Sequence, residues 1–190
     1  MGAIEPSVVL QRHRVTVEEY HRMAETGILA PDARVELIEG EVIDMAPMNS
    51  RHAWVVTMLI SRLQAAHGRG IVTCQTPLRL GTHGEPEPDL MLLRPRDGGY
   101  AAALPAPADV LLLIEVADTS LDYDRLVKMP LYAREGVCEA WIVDLVNRQV
   151  RFYRQPQGGA YADVTSTETP GLTPVIALPG IEIDLAGLFG

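Results

Sequence analysis

Segment 110–116 constrains the fold of this chain more than any other, because it is a run of large aliphatic residues ending in a carboxylate. It reads Val-Leu-Leu-Leu-Ile-Glu-Val, and such a run indicates a strand that is buried on both faces. A helix is expected from about Ser120 or Leu121 to Arg134, with Pro130 predicting either a kink or a later start. A strand at 139–144 follows, and the crossover through the helix would bring it beside segment 110–116 in parallel. The pattern therefore predicts a mixed α/β sheet with helices on both faces.

The remaining segments predict further helices and strands around this centre. Thr16 and Glu19 form a capping-box pattern for a helix that reaches about Glu25, and Asn49 or Ser50 precedes a second helical pattern over 51–67. Strands are expected at 34–38, 41–45, 71–80, 88–93, 150–153, 161–164, 175–176 and 181–183. We expect a single domain over 1–190, with an N-terminal arm at 1–15 and a C-terminal extension at 160–190.

The overall composition limits the classes of function that the chain can have. Its net charge of −9 argues against a broad basic face for nucleic acid, although a local basic groove remains compatible with it. The two cysteines, Cys74 and Cys138, have no metal-ligand spacing and are expected to be reduced thiols. No signal-sequence pattern and no apolar run of about 20 residues occurs, so a cytoplasmic protein without a membrane span is expected.

Two carboxylates at the ends of apolar strands are the main candidates for a functional site. Asp89 follows Pro88 and precedes Leu-Met-Leu-Leu, and Glu115 is the carboxylate of segment 110–116. Buried carboxylates require partners, and two that lie close together present the hard oxygen ligands that divalent cations prefer. Lys128, on the following helix, is suited to stabilise negative charge on a phosphate. This combination is typical of metal-assisted phosphodiester cleavage.

The order of these residues resembles the PD-(D/E)xK nuclease superfamily, and within it the bacterial Uma-two family of restriction-endonuclease-like proteins. The resemblance covers about residues 16–153. It is carried by Glu36-Leu37-Ile38-Glu39-Gly40-Glu41, His52, Pro88-Asp89, Ile114-Glu115-Val116-Ala117-Asp118, Tyr123-Asp124, Lys128, Tyr132 and segment 136–144.

The resemblance implies a restriction-endonuclease-like sheet flanked by helices, with extra β-hairpins towards both termini. It implies that Asp89, Glu115 and the backbone carbonyl of Val116 bind Mg²⁺, or Mn²⁺, and that the chain cleaves DNA. The superfamily lysine usually lies two residues after the second acid, where this chain has Ala117, so the lysine role passes to Lys128. Glu36 is implied as an additional acid of the site. Many nucleases of this kind cut both strands as homodimers, and the tail strands here are suited to such pairing.

Several alternatives stay open at the level of sequence. Lys128 lies four residues after Asp124, so a surface ion pair explains it equally simply. Glu36 alternates with apolar residues and would face solvent on a plain hairpin. Structural or surface roles are also open for four other polar residues near the candidate acids, namely His52, Gln75, Glu87 and Tyr132.

Two rival functions also stay open. One is a regulatory module with this fold but no cleavage, which would not need Asp89, Glu115 and Lys128 to converge. The other is a metal-dependent hydrolase of a small phosphorylated substrate, which would have a narrow, closed pocket. An open groove flanked by arginines would instead favour nucleic acid, and the candidates for that flank are Arg51, Arg62, Arg94 and Arg125.

Overall fold

The N-terminal half supplies two helices and a small hairpin that lie outside the main sheet. The structure, a computed structural model, describes residues 11–66 and 70–190. Its first elements are α1 (Val17–Glu25), β1 (Val35–Ile38), β2 (Glu41–Asp44) and α2 (Ser50–Ala66). The predicted capping box is confirmed, because Thr16 Oγ1 accepts from the Glu19 N–H and the Glu19 carboxylate accepts from the Thr16 N–H. Asn49 also caps α2, through its Oδ1 and the His52 N–H at 3.0 Å.

A six-stranded mixed sheet forms the centre of the protein. Its strands, in spatial and chain order, are β3 (Ile71–Cys74), β4 (Leu90–Leu93), β5 (Val110–Ala117), β6 (Glu139–Asp144), β7 (Gln149–Gln157) and β8 (Ala160–Thr167). The pair β5–β6 is parallel and every other neighbouring pair is antiparallel, as the crossover rule predicts. All eight residues of β5 are buried. The predicted central strand and the mixed α/β sheet are therefore confirmed.

The helical segment between β5 and β6 is not a uniform α-helix. It begins as α3 (Leu121–Tyr123), widens into a π-helical turn over Asp124–Lys128, and continues as α4 (Met129–Glu135) to Gly136. Pro130 has no backbone N–H to donate to the carbonyl four residues earlier, and in a regular helix its ring would also clash with that carbonyl. The wider turn, closed by the Met129 N–H on the Asp124 carbonyl, lies directly before this proline. The predicted kink is thus realised as a π-helical turn.

Apolar side chains fill both faces of the sheet. On one face, α2 and the C-terminal extension pack against the sheet, and on the other face α4 packs against it. The extension contains the small hairpin of β9 (Leu172–Pro174) and β10 (Glu182–Asp184). The buried carboxylate of Glu139 ties it to the sheet by accepting from the Ile176 N–H at 2.8 Å and from Arg154 Nε at 2.9 Å. No helix in the described ranges is long and apolar enough to cross a membrane.

Several element boundaries differ from the sequence predictions, and β7 and β8 are both longer than the predicted 150–153 and 161–164. The strand expected over 71–80 ends at Cys74, because Gln75 adopts a positive φ of 48° and Pro77 has no N–H for a ladder. Asp89 lies immediately before β4 rather than within it. Residues 175–176 are not a strand, because Val175 instead closes the loop between β9 and β10.

Two predictions at the ends of elements involve residues outside the described ranges. Most of the predicted arm, residues 1–10, and the predicted end of α2 at residues 67–69 lie there. Of the arm, residues 11–15 are described, and the Val15 N–H donates to the Gly40 carbonyl at 2.9 Å.

Candidate active site

Asp89 and Glu115 lie side by side where β4 begins and β5 ends. The two strands are antiparallel, with Leu90 opposite Ile114, so the residue before β4 meets the end of β5. The Asp89 N–H donates to Glu115 Oε2 at 3.3 Å, and Asp89 Oδ2 accepts from the Val116 N–H at 2.8 Å. The two acids that the sequence singles out are therefore brought together at one end of two neighbouring inner strands.

Glu115 is fully enclosed by hydrogen-bond donors. Its Oε1 accepts from the hydroxyl of Tyr132 at 2.7 Å and lies 3.2 Å from Lys128 Nζ. Burial raises the pKa of Glu115 to about 8, although the charge of Lys128 and the hydroxyl of Tyr132 oppose that rise. A further positive charge at this site would therefore favour the ionised carboxylate.

Lys128 is the only lysine of the chain, and its side chain is buried. Its Nζ lies 3.1 Å from Glu36 Oε2 and 3.2 Å from Glu115 Oε1. Burial opposes its charged form, but Glu115, Glu36 and Asp124 outweigh that effect and raise the pKa of Lys128. The ammonium group is thus held in its charged form between two carboxylates.

The alternative of a surface ion pair between Lys128 and Asp124 is wrong. Both residues are buried, and the carboxylate of Asp124 accepts from Ser120 Oγ at 2.7 Å. Burial raises the pKa of Asp124 to about 6, partly offset by Lys128. The two residues lie at opposite ends of the π-helical turn, which directs Lys128 inward towards Glu115.

Glu36 lies against Lys128, and the solvent-facing alternative for it is wrong. It is 2% exposed, accepts from the Tyr123 hydroxyl at 2.9 Å through Oε1, and accepts from the Glu87 N–H at 3.1 Å through Oε2. These contacts make it the second counter-ion of Lys128 on the side of the hairpin β1–β2.

The backbone carbonyl of Val116 faces the same side as Asp89. The Ala117 carbonyl accepts from the Leu145 N–H at 2.8 Å, so Ala117 faces the β6 side of the strand. Backbone groups of successive strand residues alternate in direction, and the Val116 N–H donates to Asp89. The Val116 carbonyl is therefore directed towards Asp89, which lies immediately before the first residue of β4.

This donor set fits a magnesium-type cation better than a softer metal. No cluster of three or more His, Cys, Asp or Glu side chains with metal-binding geometry was found within residues 11–66 and 70–190. Mg²⁺ does not require such a cluster, because it keeps several waters and is commonly bound through one or two carboxylates. Asp89 Oδ1 has no hydrogen-bond partner in the part of the chain that is described, so it has free lone pairs.

Residues whose roles stayed open in the sequence also lie at this site. His52 Nε2 is 3.1 Å from Asp89 Oδ2, while its Nδ1 is buried without a partner among the described residues. Burial lowers the pKa of His52, but Asp89 and other acids outweigh this and raise it. Tyr132, which sequence reasoning treated mainly as a core residue, contacts Glu115 directly. The feature of the sequence that could have indicated this contact is the position of Tyr132 one helical turn after Lys128.

The site opens into a cavity of about 300 Å³, and most of the charged residues in its lining are acids. Gln75 and Glu87 line it, and burial raises the pKa of Glu87. The charged residues of the lining are the acids Glu36, Asp44, Glu87, Asp89, Glu115, Asp118 and Asp124, and the bases Arg34 and Lys128. A polyanion could approach this lining only with cations to offset the excess of carboxylates.

The arginines expected to flank the site are mostly engaged elsewhere. Arg62 donates to the Asp184 and Ala186 carbonyls, and Arg94 donates to the Ala108 carbonyl. Arg51 donates to the Leu145 carbonyl, and its Nη1 also lies 3.9 Å from Asp118 of the cavity lining. The predicted flank is therefore wrong for Arg62 and Arg94, which stabilise loops and the C-terminal extension. Arg34, which the sequence did not single out, lines the cavity instead.

The arrangement of sheet, helices and hairpins is shared with a solved structure. That structure is described as a putative nuclease belonging to DUF820 from Anabaena variabilis ATCC 29413. The match has a TM-score of 0.71 at 18% sequence identity and covers 92% of this chain and 97% of the other. The similarity confirms the predicted fold class.

The sequence itself also identifies the family. Residues 17–186 match the model of the Uma2 family, described as putative restriction endonucleases, so the chain belongs to that family. A comparison with curated protein sequences found no significant match.

Proposed function

We propose that this protein is a metal-dependent endonuclease that hydrolyses phosphodiester bonds of DNA. The description of its family and that of the structural neighbour both support a nuclease function. The observation that carries the proposal is the convergence of Asp89, Glu115 and Lys128 at the end of a central strand. Such strand ends are where open α/β sheets bind their ligands.

Asp89, Glu115 and the carbonyl of Val116 would hold Mg²⁺ or Mn²⁺. A cation bound there polarises a phosphate oxygen and lowers the pKa of a bound water. Asp89 is oriented for this by the Val116 N–H and by His52, which leave its Oδ1 available. Tyr132 fixes Glu115 from the opposite side through its hydroxyl.

Lys128 has two roles in this proposal. Its charge favours the ionised form of Glu115, which burial alone would disfavour. It also supplies a fixed positive charge in a water-poor site, where such a charge stabilises negative charge developing on a phosphate most strongly. Glu36 and Tyr123 hold the lysine in place from the side of β1.

The convergence of these residues argues against the regulatory module without cleavage. A module that only binds would not need Asp89, Glu115 and Lys128 to converge, and these three residues lie in contact here. The net charge of −9 and the alanine at position 117 both favour the rival, but Lys128 reaches Glu115 from the neighbouring helix instead. The proposed homodimer and the cation stay predictions that solution experiments must test.

The experiment is a plasmid-nicking assay with Mg²⁺ or Mn²⁺, combined with calorimetric titration of each cation. We expect wild type to nick DNA only with the cation, and Asp89→Asn and Glu115→Gln to lose both nicking and cation binding. The control is Asp97→Asn, which changes an exposed residue in the loop after β4, at the opposite end of that strand from Asp89, and should retain both. Nicking by both site variants would refute the proposal. Cation binding without nicking of DNA would instead favour the hydrolase of a small phosphorylated substrate.

A further inference from the structure

A second cationic position lies in the same row of the sheet as Glu115. Glu115 is opposite Ile142 on β6, and Ile142 is opposite Arg151 on β7. Residues opposite one another on neighbouring strands project to the same face, and strands lie about 4.8 Å apart. The Cα atom of Arg151 is therefore roughly 10 Å from that of Glu115, two strand spacings away, on the face that carries Lys128.

Arg151 lacks a close carboxylate contact within the described residues. It forms no ion pair or side-chain hydrogen bond there, and its Nε is buried without a partner. Burial raises the pKa of the nearby Asp144, but hydrogen bonds from Asn147 and Gln149 at 2.8–3.3 Å outweigh it and lower this pKa, and the charge of Arg151 adds to their effect without forming an ion pair. A partly buried guanidinium that lacks a partner is energetically unfavourable, so an anion from outside the chain is expected to bind it.

Arg125 lies on the same face and is also only weakly paired. Its ion pair within the described residues is with Asp122 at 3.9 Å, and the Asp122 side chain is 85% exposed, so solvent screens the pair. Both arginines act on Tyr153: burial raises the pKa of Tyr153 and the carboxylate of Asp124 adds to that rise, whereas the charges of Arg151 and Arg125 oppose it. Two arginines around one tyrosine repel each other, which an anion between them would relieve.

We propose that Arg125 and Arg151 form a subsite that binds a DNA phosphate next to the one placed at Asp89 and Glu115. This inference rests on the proposed function, because it assumes that DNA is the substrate. Arginine suits the role because its planar fork donates two parallel hydrogen bonds to phosphate oxygens. Neither arginine belongs to the lining of the acidic cavity, so this subsite would offer a polyanion positive charge outside that lining.

The test measures the salt dependence of DNA binding by fluorescence anisotropy, with a labelled 25-bp duplex and Ca²⁺ in place of Mg²⁺. Each phosphate contact contributes about −0.9 to the slope of log K against log salt concentration. We expect Arg125→Gln and Arg151→Gln each to reduce the slope by about that amount and to weaken binding on the order of tenfold. Arg151→Lys keeps the charge and should retain most of the slope. Arg22→Gln, the same charge loss on an exposed residue of α1, should leave the slope unchanged.

The outcomes separate this subsite from the proposed function. Wild type that nicks DNA, with slopes unchanged in both glutamine variants, would overturn the subsite and leave the nuclease proposal standing. A slope that depends on both arginines, in a wild type that does not nick DNA with Mg²⁺ or Mn²⁺, would support the subsite and overturn the cleavage proposal. Wild type that does not bind the duplex at all would overturn both.

Discussion

Replacing Lys128 with methionine should destabilise the protein strongly and in a pH-dependent manner. Lys128 is 4% exposed and its Nζ lies within 3.2 Å of two carboxylates, so its loss leaves Glu36 and Glu115 buried beside each other without a counter-ion. Removing one partner of a buried charge group costs about 3–5 kcal/mol. For a domain of this size, each kcal/mol shifts Tm by about 2–4 °C, so the expected loss is roughly 6–20 °C.

The pH dependence follows from the raised pKa of Glu115. Its folded-state pKa lies above the unfolded value, so the native state binds more protons between those values and stability falls as pH rises through that window. Without Lys128 the folded-state pKa rises further, because the lysine charge opposes the effect of burial. The difference between wild type and Lys128→Met should therefore be small near pH 5 and largest at about pH 8 and above.

Urea unfolding at pH 5 and pH 8, in EDTA to remove bound cations, measures this difference directly. Arg22→Met is the control, since it removes a positive charge from an exposed position on α1 and should change stability by less than about 0.5 kcal/mol. A Lys128→Met variant that is as stable as the control, or that loses the same free energy at both pH values, would refute the reasoning.

Two further predictions concern local contacts. Tyr132→Phe removes the hydrogen bond to Glu115 and should cost about 1–3 kcal/mol of unfolding free energy; Tyr161→Phe, which removes a buried bond to a backbone carbonyl, should cost a similar amount. Calorimetry should show weaker Mg²⁺ binding in Tyr132→Phe only, and equal binding in both variants would contradict a positioning role. Gly136→Ala should cost about 1–2 kcal/mol in urea unfolding, because Gly136 has a φ of 87° at the end of α4 and a Cβ there meets no other atom. Gly171→Ala, which also meets no atom and has no positive φ, should change stability little, and equal losses at the two glycines would show that backbone conformation is not the cause.

The sequence by itself determined the elements whose signals are local. The aliphatic run of β5 requires burial on both faces, and the crossover rule then makes β6 its parallel neighbour. The capping box of Thr16 and Glu19 fixes the start of α1 through contacts three residues apart. The acids Asp89 and Glu115 were recognisable because carboxylates at the ends of apolar strands are costly to bury without a compensating partner.

Only the tertiary structure decided which groups these acids and arginines meet. Helical spacing pairs Lys128 with Asp124, but the π-helical turn before Pro130 redirects the lysine to Glu115 and Glu36. Arginines look alike in sequence, yet Arg62 and Arg94 satisfy backbone carbonyls. Arg151 lies in the same row of the sheet as Glu115, without a partner in the described part of the chain. The reason is physical: periodicity and propensity act over a few residues, whereas charge pairing depends on strand register and helix geometry across the whole sheet.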